Sequence, residues 1–86
     1  MSAGKRKHWW VGLGGTFDHF HKGHEHFIEF AFRQGENLLI GITDQKLTLH
    51  KPYAQTIEPF HIRSRHVHKF CKSKKIPHEI VKIEDV

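Results

Sequence analysis

Residues 14–24 read Gly-Gly-Thr-Phe-Asp-His-Phe-His-Lys-Gly-His, and what stands on either side of them decides the fold. Before them, His8 to Leu13 (HWWVGL) has the short, β-prone character of a strand. After them, Gly23 to Arg33 reads as a helix, with Phe27, Phe30 and Ala31 at helical spacing and Ile28 with Phe32 one position round. Gly14-Gly15 ends the strand, and Gly35 supplies a stop for the helix. A strand, a glycine turn and a helix start in that order leave backbone N–H groups where a polyanion can approach closely. Thr16 adds a hydroxyl, and His21 and His24 add imidazoles that can donate to phosphate oxygens. From the residues alone this is a phosphate cradle. It is neither the dinucleotide fingerprint nor a Walker loop, because the glycine spacing and the terminal Lys-Ser/Thr are missing.

Outward from this stretch the alternation continues. Asn37 to Ile42 (NLLIGI) is short and continuously apolar, as expected of a strand covered on both faces. Thr43 to Ile57 is a polar connection carrying Lys46, Lys51 and Pro52. Pro59 opens a second helix that runs to about Cys71, with Ile62, Val67, Phe70 and Cys71 as a broad apolar stripe. His78 to Ile83 (HEIVKI) reads as a third strand after Ile76-Pro77. The order βαβαβ predicts an α/β protein with parallel strands and right-handed crossovers. Three strands and two helices make half of a doubly wound sheet, so the organisation expected is a basic, flexible tail over 1–7 and part of one domain over 8–86. Trp9 and Trp10 are read as strand packing.

The 86 residues suffice for one small domain. Hydrophobic residues make up 37% of them, and no apolar run approaches the ~20 residues a membrane-spanning helix needs. Seven Phe argue against a disordered chain. The 14 Lys and Arg against 9 Asp and Glu give a net charge of +5, which favours phosphate-bearing partners and says nothing about fold. That excess lies in Lys5-Arg6-Lys7 and between Glu58 and Glu79, where Arg63, Arg65, Lys69, Lys72, Lys74 and Lys75 meet no acid. The plain reading of such a run is a solvated helix face. Cys71 is the single cysteine, which excludes an internal disulfide and suits a reducing compartment. With no secretory-type start, the expected location is the cytoplasm.

The stretch GGTFDHFHKGH resembles the G-G-T-F-D-x-x-H-x-G-H motif of the nucleotidylyltransferase superfamily. Gly41-Ile42-Thr43-Asp44, Lys51, Ile57-Glu58-Pro59-Phe60 with Arg63, and the ending His78 to Asp85 are similar to later blocks of archaeal and eukaryotic phosphopantetheine adenylyltransferases. The resemblance implies a Rossmann-like, adenine nucleotide alpha hydrolase-like sheet, of which this chain holds the N-terminal βαβαβ half. It implies transfer of adenylyl from ATP to 4'-phosphopantetheine, giving dephospho-coenzyme A and pyrophosphate, with Mg²⁺ accompanying ATP. By motif match, Thr16 would orient the attacking phosphate, and the Gly14, Gly15 and Phe17 backbone would line the triphosphate. His21 and His24 would hold the nucleotide's phosphates beside Gly23, His24 stabilising charge at the α-phosphorus. Lys51 would neutralise the acceptor phosphate, while Arg63 would serve a phosphate or a structural ion pair.

The sequence departs from that family in three places. A serine- and threonine-rich I-S-S-T-K-I-R type block does not occur in these residues. Pro52 stands where many relatives carry a second lysine, and His61 where an acid is usual. Three other readings therefore stay open: a cytidylyltransferase for a phospho-alcohol, a non-catalytic remnant, and a basic module that binds polyanions through residues 63–75. Preference for CTP over ATP would select the first, and salt-sensitive RNA binding without ATP binding the last. Nucleic acid and membrane are not the partners expected from the resemblance, whereas a homo-oligomer is compatible with an open strand edge. His19 and His26 are read as surface or packing imidazoles. Ten histidines raise zinc, yet His24-Glu25-His26 is not H-E-x-x-H and a lone cysteine gives no structural zinc pattern, so no metal ligand is assigned.

Overall fold

The alternation of short apolar runs with longer amphipathic ones resolves, in a computed structural model, into three strands and two α-helices among the described residues. The structure describes residues 9–49 and 54–84. In chain order they are β1 (Trp10–Gly15), α1 (Lys22–Phe32), β2 (Asn37–Thr43), α2 (Phe60–Ser73) and β3 (His78–Ile83). The strands lie side by side as β1-β2-β3 and both pairings are parallel, with Leu13 opposite Ile40 and Ile40 opposite Ile80. This is the expected βαβαβ half of a Rossmann-like sheet. The tail expected over 1–7 lies outside the described residues. Among the described residues no helix is long and apolar enough to cross a membrane.

A path that steps in one direction across a parallel sheet, with crossovers of one hand, puts both helices on the same face. The core shows this. Leu38, Ile40 and Ile42 alternate along β2 and are buried together with Ile28 and Ala31 of α1 and Val67, Phe70 and Cys71 of α2. Burial raises the Cys71 thiol to about 11, which leaves it a small apolar side chain rather than a reactive one. The opposite face is bare. Trp10 is 56% exposed, Leu39 39% and Val81 40%. The expectation that β2 is covered on both faces is therefore corrected, and Trp9 and Trp10 are exposed rather than packed.

The boundaries shift for identifiable reasons. β1 runs through Gly14 and Gly15 instead of ending before them, because these two pair with Gly41 and Ile42 of β2. In α1 the buried positions are Ile28 and Ala31, while Phe27 and Phe30 face solvent. The helix ends at Phe32, and Gly35 serves close packing instead of a cap: a Cβ there would lie 2.7 Å from Val11 Cγ2 and 3.2 Å from the Trp9 carbonyl oxygen. In α2, Arg63 joins Val67, Phe70 and Cys71 as a buried residue, and Ile62 is only half-buried. β3 has the expected bounds.

Candidate functional site

Parallel strands bring their carboxyl ends to one edge of a sheet, and open α/β folds place ligands there. Thr16 follows β1 directly and Thr43 closes β2 at that edge, with the Thr43 hydroxyl donating to Thr16 Oγ1 at 3.4 Å. The chain then turns sharply. The glycines do not make this turn, since no described glycine has a positive φ. Phe17 at φ 53° and His19 at φ 47° make it, a conformation costly for side chains with a Cβ unless the surroundings enforce it.

Contacts from distant parts of the chain enforce it. The Phe17 ring is buried against Phe27 and His24. Asp18 Oδ1 accepts from the Glu58 N–H at 2.8 Å, the His19 N–H donates to Glu58 Oε1 at 3.0 Å, and the His19 ring lies 3.0 Å from the Thr56 carbonyl oxygen. Beneath the loop, Arg63 is fully buried. Its Nε donates to the Glu58 carbonyl at 2.7 Å, Nη1 to the Thr16 and Thr43 carbonyls at 2.9 Å each, and Nη2 to Gln45 Oε1 at 3.3 Å. The guanidinium thus ties together the ends of β1 and β2 and the start of α2. Burial lowers its pKa, opposed by the fields of Asp18, Asp44 and Glu58. The expectation of a phosphate contact or an ion pair gives way to a positioning role, because the buried guanidinium gives four of its five N–H donors to three peptide oxygens and one side-chain amide.

The helix start beyond the loop presents two histidines. His21 is the N-cap of α1, and its Nδ1 accepts from the Gly23 N–H at 3.0 Å. His24 Nδ1 reciprocally accepts from the His21 N–H at 3.1 Å, an imidazole version of the capping box. Each ring accepts through Nδ1, so in the neutral form each carries its proton on Nε2. Neither Nε2 has a partner among the described residues. The ring centroids lie 4.0 Å apart, and Phe20 stacks on the half-buried His24. Two N–H donors therefore stand together at the positive end of α1, as a phosphate requires. Burial first, then His21, lowers the His24 pKa, while Asp18 opposes. His19 moves the other way, raised first by the Thr56 carbonyl and then by Asp18 and Glu58.

Of the residues expected in the site, Gly14, Gly15 and Thr16 lie at the end of β1, Phe17 packs beneath the loop, and His21, Gly23 and His24 form the helix start. Lys51 falls outside the described residues. Sequence reasoning missed Asp18, Glu58, Thr43 and the structural use of Arg63. Asp18 sits inside the motif and was open to question; the others depend on contacts across 20 residues or more.

A parallel βαβαβ sheet with a threonine at the carboxyl end of its first strand and paired histidines at the following helix start defines a nucleotidylyltransferase-like domain. The chain belongs to the cytidylyltransferase-like family, whose model matches residues 13–85. It is 36% identical over 81 residues to the phosphopantetheine adenylyltransferase of Methanothermobacter thermautotrophicus, covering 94% of this chain and 48% of that protein. To the protein of the same name from Saccharomyces cerevisiae it is 43% identical over 79 residues, 88% of this chain and 26% of that one. The one from Thermococcus kodakarensis shares 38% over 68 residues, 79% and 41% respectively. The chain thus spans half or less of the length of these relatives. No solved structure matches it significantly.

Proposed function

We propose that this chain supplies the triphosphate-binding half of an adenylyl transfer site, with ATP as donor and 4'-phosphopantetheine as acceptor. The observation that carries the reading is the reciprocal cap at the start of α1, which occupies Nδ1 of both His21 and His24 and leaves each neutral ring its Nε2–H as a donor. An acceptor phosphate oxygen attacks the α-phosphorus, the bond to the bridging oxygen breaks, and pyrophosphate leaves with that electron pair. No nucleophilic side chain is needed. What these residues contribute is placement and charge stabilisation: Thr16 steers the attacking phosphate, and His24 donates to the oxygens that gain charge. Arg63 keeps Thr16 in place without touching the substrate.

Mg²⁺ is proposed to come with the phosphates of ATP. Among the described residues, Asp18, His19 and Glu58 bring ligand atoms within 4.8 Å of one another. One is a nitrogen and the carboxylates already accept backbone N–H groups, whereas Mg²⁺ asks for six oxygens in near-ideal geometry. They do not fit it, and no step is routed through the ion.

An NMR titration with ATP tests the reading: Gly15, Thr16 and His24 amides should move and His24→Gln should weaken binding. Movement confined to residues 63–75 would overturn it in favour of a basic polyanion-binding face. The family description favours one second reading, cytidylyl transfer to a phospho-alcohol; binding of CTP without ATP would select it.

A further inference from the structure

A groove of about 510 Å³ runs between α2 and β3, lined by Phe60, Ser64, Arg65, His68, Ile80 and Lys82. Residues 60, 64 and 68 share one helix face by their spacing of four, and 80 and 82 share one strand face. The cavity bounded by Phe20, Glu25, His66, Lys69, Phe70 and Ser73 mixes charges, but this groove has two cations in its wall and no carboxylate. Lys82 is not a loose tether. Lys82 Nζ stands 4.8 Å from the Phe60 ring centroid, a cation–π contact that fixes its direction. His68 is pinned at the rim. The His78 Nδ1 lies 2.8 Å from the Ile76 carbonyl oxygen, and its Nε2 lies 2.9 Å from His68 Nδ1; in the neutral ring Nδ1 bears the proton and Nε2 accepts.

We propose that this groove binds a small organic phosphate, its phosphoryl group between Arg65 and Lys82 and its apolar body on Phe60 and Ile80. The guanidinium fork matches two phosphate oxygens and the ammonium adds a point charge. The volume suits a phosphate ester better than a free phosphate ion, since small-molecule sites occupy ~300–1,000 Å³. The inference is independent of adenylyl transfer, because none of these residues belongs to the loop at 16–24.

The test is an amide-resolved NMR titration of the chain with phenyl phosphate and, separately, inorganic phosphate, in 0.15 M salt (where diffuse attraction to lysines is screened). Phenyl phosphate should move Ser64, Arg65, His68 and Lys82 and bind at least about fivefold more tightly than inorganic phosphate, from burial of its ring. Arg65→Gln and Lys82→Gln should each weaken it about tenfold, while Lys72→Gln should not. Thermal melts of the exposed-site variants confirm that they are folded. Equal affinity for the two probes, shifts confined to Gly15, Thr16 and His24, or unchanged binding in the Arg65 and Lys82 variants would overturn the proposal.

Discussion

Arg63 is a buried cation whose partners are peptide oxygens and one amide, so its value lies in the geometry it imposes on the loop. Arg63→Met would leave the Thr16, Thr43 and Glu58 carbonyls without their donors. Unsatisfied buried groups cost ~1–3 kcal/mol each, so a loss of at least about 3 kcal/mol is expected, read as a fall in the urea midpoint. The two loop histidines respond to pH with opposite signs. Burial and His21 hold His24 below the usual histidine range, so its folded value lies under its unfolded one. Its contribution to stability is present above ~6.5 and is lost as pH falls through the folded value. The Thr56 carbonyl, Asp18 and Glu58 raise His19, so its contribution is present below ~6.5 and is lost as pH rises through the folded value. NMR titration of the ring protons should place the His24 midpoint below that of a free histidine and the His19 midpoint above it. ATP should raise the His24 midpoint, because an anion favours the protonated ring.

At the scale of one element, α1 shows how a cap doubles as a ligand. A Cβ on Gly23 would lie 2.9 Å from Cε1 and 3.1 Å from Nδ1 of His21, so Gly23→Ala must displace that ring. Losing the cap costs ~1 kcal/mol, and alanine in place of glycine returns ~1 kcal/mol of helix propensity. Melting should therefore change little while ATP affinity falls about tenfold, the worth of one charge-assisted hydrogen bond; paired melts and ATP titrations check both halves. The elements differ in how far their sequences revealed them. β3 was legible to the residue because a proline precedes it and its pattern is short and bounded. α1 was legible as a helix but not in its buried face, since Phe27, Phe30 and Phe32 together with Ile28 and Ala31 offer more apolar positions than one face can bury. The histidine pair was visible from the motif. Arg63 was not, because its role exists only when Thr16, Thr43 and Glu58 meet, and a basic residue on a helix otherwise reads as solvated.

The molecule as a whole leaves one sheet face and the outer edges of β1 and β3 without a partner among the described residues. Apolar side chains on such a surface favour association. A polypeptide of these 86 residues is expected to melt at a temperature that rises with its concentration and to elute in gel filtration above its monomer size. Leu39→Lys and Val81→Lys, both at exposed positions, should suppress the association without unfolding the chain. The strained turn carries a different consequence. Phe17 and His19 hold left-handed backbone because the Phe17 ring is buried against Phe27 and because Glu58, Arg63 and the Thr56 carbonyl, all more than 35 residues away, grip the loop. The recognition stretch is therefore not a transferable cassette. A synthetic peptide of residues 14–24, or the same eleven residues grafted into a foreign βα connection, should relax to ordinary backbone angles and scatter its two imidazoles.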